Sequence, residues 1–217
     1  IEERMNTYVE VRRPGLVNEG KQIVHWSERD GWGHFYLYDE NGKQISQLTS
    51  GPWHAEDIEG IDDKTRTLYF TGNGKEAGED PYYLHLYRIG LDGSGLRVLN
   101  PGDAENSVSV DDANRYFVNT ASRVNSIPQS SLFDINGKKI MDLEKTDMTR
   151  MFEAGYKFPQ TVKVKADDGI TDLYGVMYKP FDFDSTKKYP VIAYVYPGPQ
   201  TEAVNKAFVR GMERIDR

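Results

Sequence analysis

Three stretches of this 217-residue chain repeat one another in the order of their strands and turns, and a unit that recurs whole leaves few folds open. The first, residues 25–45, runs as a strand led by Trp26, a turn, a strand through Tyr36 and Leu37, an Asn41-Gly42 hairpin and a further strand to Ile45. The order recurs in Leu68-Tyr69-Phe70, then residues 83–89, then the Asp92-Gly93 turn and Leu96-Arg97-Val98-Leu99. It returns in Tyr116-Phe117-Val118, Ser131-Leu132-Phe133, the Asn136-Gly137 turn and Lys139-Ile140-Met141. Trp26, Phe70 and Phe117 stand 44 and 47 residues apart, and Leu37, Leu86 and Leu132 stand 49 and 46 apart. Several short strands per unit at a period in the forties predict propeller blades, with the three aromatic residues at equivalent positions in successive sheets. A β-sandwich also carries turn signals every ~8–12 residues, but it gives no reason for a whole unit to repeat.

Beyond the repeats the pattern changes. The acidic turns Asp62-Asp63-Lys64 and Asp111-Asp112-Ala113-Asn114 each precede an aromatic strand, as turns ahead of the next hairpin should. Over residues 148–158 the rhythm breaks into a short polar or helical turn ended by Phe158-Pro159. Residues 160–166 then alternate with period two, Asp167-Asp168-Gly169 reverses the chain, and residues 171–178 form the second arm. Val191-Ile192-Ala193-Tyr194-Val195-Tyr196 reads as a buried strand, stopped at Pro197-Gly198-Pro199 because proline cannot donate to a ladder and glycine permits a sharp reversal. The tail from Thr201 fits a helix with Val204, Phe208, Met212 and Ile215 on one face. The expected division is residues 1–150 for the repeats and residues 151–217 for a second domain.

Several function classes are excluded. The net charge is −7, from 27 basic and 34 acidic residues, and no basic run exceeds Arg12-Arg13 or Lys187-Lys188, so nucleic acid is not an expected partner. No window approaches the ~18 consecutive apolar residues of a membrane span, and Ile1-Glu2-Glu3-Arg4 has no signal-peptide character. Without cysteine there are no disulfides or thiolate metal sites. His25, His34, His54 and His85 form no H-x-H or H-E-x-x-H pair, so each is expected to be a structural or surface imidazole. Asp39-Glu40-Asn41-Gly42 lacks the alternating ligands of a calcium loop and reads as a hairpin turn. Trp26, Trp32 and Trp53 read as packing between sheets rather than as a ligand surface. Neither a metal nor a cofactor is expected.

Local motifs carry a resemblance. The run Glu28-Arg29-Asp30-Gly31-Trp32-Gly33-His34-Phe35-Tyr36-Leu37 is similar to the x-D-G-W-x-H-x-Y strand pair of bacterial dipeptidyl peptidase IV-like propellers. Lys165-Ala166-Asp167-Asp168-Gly169 through residues 173–180 looks like the hairpin that begins that family's α/β-hydrolase domain. Tyr196-Pro197-Gly198-Pro199, after Phe183-Asp184-Ser185-Thr186 and Tyr189-Pro190-Val191, stands where the family has its Y-x-G-P turn. The chain thus resembles the dipeptidyl peptidase IV branch of the prolyl oligopeptidase family of serine peptidases.

The resemblance implies a mainly β fold: about three propeller blades, then the first strands and helix of an α/β-hydrolase domain. It implies an enzyme that removes N-terminal dipeptides from peptides, after proline or alanine, through an acyl-enzyme. It further implies a homodimeric parent in the periplasm or secreted. Tyr196 would be an oxyanion-hole donor, since a phenol can give one hydrogen bond to a developing alkoxide. Tyr194, on the same face, would be packing. No G-x-S-x-G elbow exists, because Gly93-Ser94-Gly95 lacks the flanking residues, so the serine, aspartate and histidine are expected outside these residues and the chain alone is expected to be inactive. Glu2-Glu3 is an adjacent pair of the kind that holds a substrate amino group, but no surrounding motif matches. Two further readings stay open: a non-catalytic propeller module that binds or scaffolds, and an acylaminoacyl or oligopeptidase-type enzyme that recognises a different substrate terminus.

Overall fold

The computed structural model describes residues 1–6, 8–196 and 204–208. Strands β1 (Gly15–Val17), β2 (Gln22–Ser27), β3 (His34–Asp39) and β4 (Gln44–Gln47) form one antiparallel sheet in chain order. Strands β5 (His54–Asp62), β6 (Thr67–Asn73), β7 (His85–Gly90) and β8 (Arg97–Val98) form the second. Strands β9 (Glu105–Val110), β10 (Tyr116–Ser122), β11 (Gln129–Asp134) and β12 (Lys139–Lys145) form the third in the same order. The repeat read from the sequence is therefore a repeat of four-stranded meanders.

The hairpin between the third and fourth strands is the same in each sheet. Gly42, Gly93 and Gly137 lie at φ 79, 82 and 83°, a region that glycine enters without the Cβ penalty. Their N–H groups donate to the carbonyls of Asp39, Gly90 and Asp134 at 3.0, 2.8 and 2.9 Å. In two of the turns the aspartate carboxylate adds its own bonds: Asp39 accepts from the N–H of Asn41 and Lys43, and Asp134 from those of Asn136 and Lys138.

Apolar side chains on both faces of the strands fill the spaces between sheets. Val24, Trp26, Phe35 and Leu37 of the first sheet pack with Leu68, Phe70, Tyr87 and Ile89 of the second. Tyr69 and Leu86, on the second sheet's other face, pack with Phe117, Phe133 and Ile135 of the third. The aromatic alignment needs one correction. Trp26, Phe70 and Phe117 do sit on the second strand of their sheets, but Trp26 faces the following sheet while Phe70 and Phe117 face the preceding one. Because both faces of a blade are buried, an aromatic residue of either parity finds cover, and spacing alone does not reveal its face. The first strands lie close together, β5 touching both β1 and β9, so successive sheets converge there.

A second periodicity of 51 residues joins the first two sheets. His34 and His85 open β3 and β7, and the residue after each donates its N–H to a side chain 14 positions later: Phe35 to Thr49 Oγ1 at 3.0 Å and Leu86 to Asn100 Oδ1 at 2.7 Å. Leu48 and Leu99 then donate to the Phe35 and Leu86 carbonyls, each at 2.8 Å.

The chain divides into two compact units, Ile1–Thr120 with Ser130–Leu143, and Ala121–Gln129 with Glu144–Arg217. In the second unit, α1 (Thr149–Glu153) occupies the break in the rhythm, and β13 (Gln160–Lys165) pairs antiparallel with β14 (Asp172–Met177), as the alternation predicts. Phe152, Tyr156, Phe158 and Phe181 form a chain of ring contacts 5.5–6.3 Å apart. Residues 191–196 do not form the expected buried strand. They join no sheet, and Val191 is 89% exposed. A strand is stabilised by its neighbours, and among the described residues none pairs with this segment. The Pro197-Gly198-Pro199 turn, and the expected helix apart from residues 204–208, lie outside the described residues; 204–208 are not helical.

Candidate functional site

Two regions hold the side chains singled out by sequence. The first is at the end of the first two sheets where β2 runs into β3. The indole N–H of Trp26 donates to the Ala55 carbonyl at 2.7 Å, and the Arg12 guanidinium lies 4.5 Å from the centroid of the same indole. Arg12 also pairs with Glu10 at 2.9 Å, Glu56 at 2.6 Å and Asp57 at 3.3 Å. Burial holds the Glu56 carboxyl above its ordinary range in spite of Arg12, and burial followed by the Asp57 charge does the same to Glu59. Trp53 is buried, with its indole N–H on the Ser50 carbonyl, whereas Trp32 is partly exposed with His54 against its ring. Trp26 and Trp53 are thus packing residues, and only Trp32 keeps an open face.

The histidines divide as structural groups. His34 is buried with Thr49 Oγ1 on Nδ1 and the Gly51 carbonyl on Nε2, and desolvation lowers its proton affinity. His54 Nδ1 accepts the Gly33 N–H. His85 meets Glu79, and His25 meets Glu3. The two glutamates near the start of the chain are separated by their partners. Glu2 pairs with Arg4, while Glu3 receives Arg29 at 2.8 Å. Partial burial raises the Glu3 carboxyl, but hydrogen bonds from Ser27 and Arg29 and the charges of His25 and Arg29 leave it below its ordinary range. Arg29 itself stacks 4.3 Å from the Tyr36 ring, so Glu3 is committed to a structural cluster. Sequence reading missed Arg29 and Arg12 as organising cations, since nothing in their neighbours marks an arginine that ends up over an aromatic ring.

The second region is the segment leading to Tyr196. The Asp184 carboxylate accepts the N–H and hydroxyl of Thr186, the Asp184 N–H donates to the Tyr189 hydroxyl at 2.9 Å, and Phe183 stacks on Tyr189 at 5.1 Å. This compact turn delivers the chain to Pro190 and residues 191–196. Tyr196 is 55% exposed, and among the described residues nothing bonds its hydroxyl. No cluster of three or more metal-ligating side chains occurs among the described residues. No helix there is long and apolar enough to cross a membrane.

Successive four-stranded antiparallel sheets, converging on their first strands and stacked through apolar faces, define the chain's first unit as a run of β-propeller blades. Comparison with known proteins narrows that class. Residues 1–128 match the family model of the dipeptidyl peptidase IV (DPP IV) N-terminal region, and the chain belongs to the dipeptidyl peptidase IV family. Dipeptidyl peptidase 4 of Arthroderma otae is 28% identical over 204 residues, covering 89% of this chain and 25% of that protein. Dipeptidyl peptidase 4 of Trichophyton rubrum is 27% identical over 203 residues, with the same coverage of 89% and 25%. The crystal structure of Porphyromonas gingivalis dipeptidyl peptidase 4 superposes with a TM-score of 0.73 at 26% identity, over 90% of this chain and 27% of that one. The chain thus spans about a quarter of the length of these relatives.

Proposed function

We propose that this chain is the junction of a longer serine exopeptidase, with residues 1–150 ending its propeller and residues 151–217 opening its α/β-hydrolase domain. One observation carries the reading: the family match over residues 1–128 is followed, in order, by the β13–β14 hairpin and the Tyr196-Pro197-Gly198-Pro199 motif. The parent removes N-terminal dipeptides, after proline or alanine, from peptides short enough to pass the propeller. A serine from sequence outside these residues attacks the scissile carbonyl, passing its proton to a histidine held by an aspartate, and forms an acyl-enzyme that water hydrolyses.

Tyr196 donates its phenolic proton to the oxygen that becomes negative when the carbonyl carbon turns tetrahedral. An exposed phenol whose hydroxyl bonds nothing among the described residues suits that role, because the bond is made only as charge develops. The parent works as a homodimer, periplasmic or secreted, and needs no cofactor.

The test uses the full-length protein and this chain side by side. The parent should be labelled by a fluorophosphonate and should cleave a Gly-Pro chromogenic amide but not its N-acetylated form; the chain alone should do neither. Cleavage of only the acylated amide would favour an acylaminoacyl-type enzyme, and an unlabelled, inactive parent would favour a non-catalytic module.

A further inference from the structure

Asn-Gly occurs three times in the chain, at Asn41-Gly42, Asn73-Gly74 and Asn136-Gly137, and each pair is followed by lysine. Asparagine is thermolabile because the backbone nitrogen of the next residue can attack its side-chain carbonyl carbon, and glycine leaves that nitrogen the least hindered. The peptide plane between the two residues must turn toward Cγ before the atoms can meet. What holds that plane therefore decides which pair reacts.

Asn41 and Asn136 occupy one turn written twice, Asp-x-Asn-Gly-Lys. In both turns the aspartate carboxylate accepts the N–H groups of the asparagine and the lysine, the glycine N–H donates to the aspartate carbonyl, and the aspartate N–H donates to the lysine carbonyl at 2.9 Å. These shared bonds cancel in a comparison. The third sheet's turn has further restraints. Arg97 donates to the Asn136 main-chain carbonyl at 3.2 Å, so the plane that must turn is held by its oxygen, and Arg88 donates to Asn136 Oδ1 at 3.2 Å. A donor on Oδ1 activates Cγ, but no attack follows while the plane is held. Backbone also closes in, since a Cβ on Gly137 would stand 2.7 Å from the Leu99 carbonyl oxygen.

Asn73 is restrained differently. It ends β6 in register with His54 of β5 and is half-buried, and a Cβ on Gly74 would lie 3.6 Å from the Pro81 carbonyl oxygen and 3.8 Å from Trp53 Cα. Around Asn41 there is none of this. Asn41 and Gly42 are both exposed, a Cβ on Gly42 would meet nothing within 4 Å, and among the described residues the Asn41 side-chain amide has no hydrogen-bond partner. Asp30-Gly31 and Asp168-Gly169 share the open space but offer a poorer electrophile. Partial burial raises the Asp30 carboxyl, yet bonds from Gln47 and Tyr36 leave it below its ordinary range, and bonds from Thr171 lower Asp168, so both are carboxylates at neutral pH.

We propose that Asn41 is a site of spontaneous deamidation in the folded chain, and that Asn73 and Asn136 are protected by their surroundings. The Gly42 nitrogen gives its proton to solvent base and bonds to Asn41 Cγ; the bond from Cγ to the side-chain nitrogen breaks, and ammonia leaves with a proton from water. Water then opens the succinimide at either carbonyl, giving aspartate or isoaspartate. Both products set a carboxylate beside Asp39 and Glu40. Isoaspartate also lengthens the main chain inside the turn, where the Asp39 carboxylate now spans the N–H groups of residues 41 and 43, so the β3–β4 hairpin loosens.

The experiment is peptide mapping by mass spectrometry of this chain aged in mildly alkaline buffer, folded and in denaturant, with isoaspartate read by methyl transfer from a protein isoaspartyl methyltransferase. Unfolded, the two Asp-x-Asn-Gly-Lys turns should convert at similar rates. Folded, Asn41 should lead Asn136 by at least about tenfold, the factor that one net hydrogen bond supplies, and should lead Asn73 as well. Asn41→Gln should remove most of the methyl acceptance of the aged folded chain, because the longer side chain does not close the five-membered ring. Equal rates at Asn41 and Asn136 in the folded chain overturn the proposal, as does conversion led by Asn73. Methyl acceptance that persists in Asn41→Gln overturns it too.

Discussion

The Trp26 indole N–H and the Ala55 carbonyl meet at 2.7 Å, one from the second strand of the first sheet and the other from the first strand of the second. Apolar contacts between blades are numerous but non-directional, so a slide of one sheet over the other would exchange one set for another. A buried hydrogen bond between the two sheets allows only one alignment. Phe35 pairs with Trp26 across the first sheet, and the Arg12 guanidinium lies over the Trp26 ring.

Trp26→Phe should therefore cost more than its lost area. It deletes the donor and opens space in a buried cluster, for an expected loss of about 2–4 kcal/mol. Urea unfolding followed by circular dichroism measures it. Trp32→Phe, at a partly exposed ring, should change stability by less than about 1 kcal/mol.

The turn glycines separate two costs that usually come together. Gly42 and Gly137 have nearly the same φ, but a Cβ on Gly42 would meet nothing within 4 Å, whereas on Gly137 it would stand 2.7 Å from the Leu99 carbonyl oxygen. Gly42→Ala should cost about 1 kcal/mol of backbone strain alone. Gly137→Ala should cost at least about 1 kcal/mol more, because backbone must move where the third sheet's turn meets the end of the second. Equal midpoint shifts for the two variants would show that the contact yields freely.

Glu3 gives the chain a component of acid sensitivity. Its folded carboxyl lies below the ordinary value of 4.5, so its contribution is complete above that pH and disappears as pH falls through the lower folded value. Glu3→Gln should reduce stability at pH 7 by about 1 kcal/mol and flatten the decline between roughly pH 5 and pH 3. Unfolding midpoints for both proteins at a series of pH values test this; parallel curves would mean that the cluster with Arg29 and His25 holds no charge-dependent energy.

Much of the fold was legible because a strand's period and a turn's glycine are local. The three hairpin turns, the β13–β14 pair and the short helix at Thr149–Glu153 all fall where the pattern put them. What was not legible depends on partners distant in sequence. Trp26 lies on the face opposite to Phe70 because both side chains belong to one inter-sheet layer, and spacing within the chain carries no sign of that. The module running from His34 to Thr49 and from His85 to Asn100 went unread because its bonds join different side-chain types, hydroxyl in one sheet and amide in the next. At the candidate site, Tyr196 and its segment were legible as a motif but not as a strand, because a strand's pairing depends on its neighbours.

The third sheet presents an apolar face that its counterparts bury. Leu48, Leu99 and Leu143 each follow their turn glycine by six residues; the first two are buried between sheets, and Leu143 is 46% exposed. Met141 and Tyr116 of the same sheet are exposed as well. This chain should self-associate at high concentration, and Met141→Ser with Leu143→Ser should shift it toward monomer. Sedimentation equilibrium of both forms decides it; a wild-type chain that stays monomeric would show that this face is tolerated in water.

Tyr196 offers the sharpest test of the catalytic reading. If its hydroxyl donates to the tetrahedral oxyanion, Tyr196→Phe in the full-length parent deletes that bond and keeps the ring. Turnover should then fall by ~10²–10³ with little change in KM, the pattern of an interaction made only in the transition state. Tyr194→Phe controls for the loss of a phenol in the same segment and should do far less. Both variants need unfolding midpoints close to wild type, so that lost activity is not lost structure. A Tyr196→Phe parent that keeps turnover within about threefold of wild type would leave the tyrosine a structural residue, since a donor to the oxyanion in a dry site contributes far more than that.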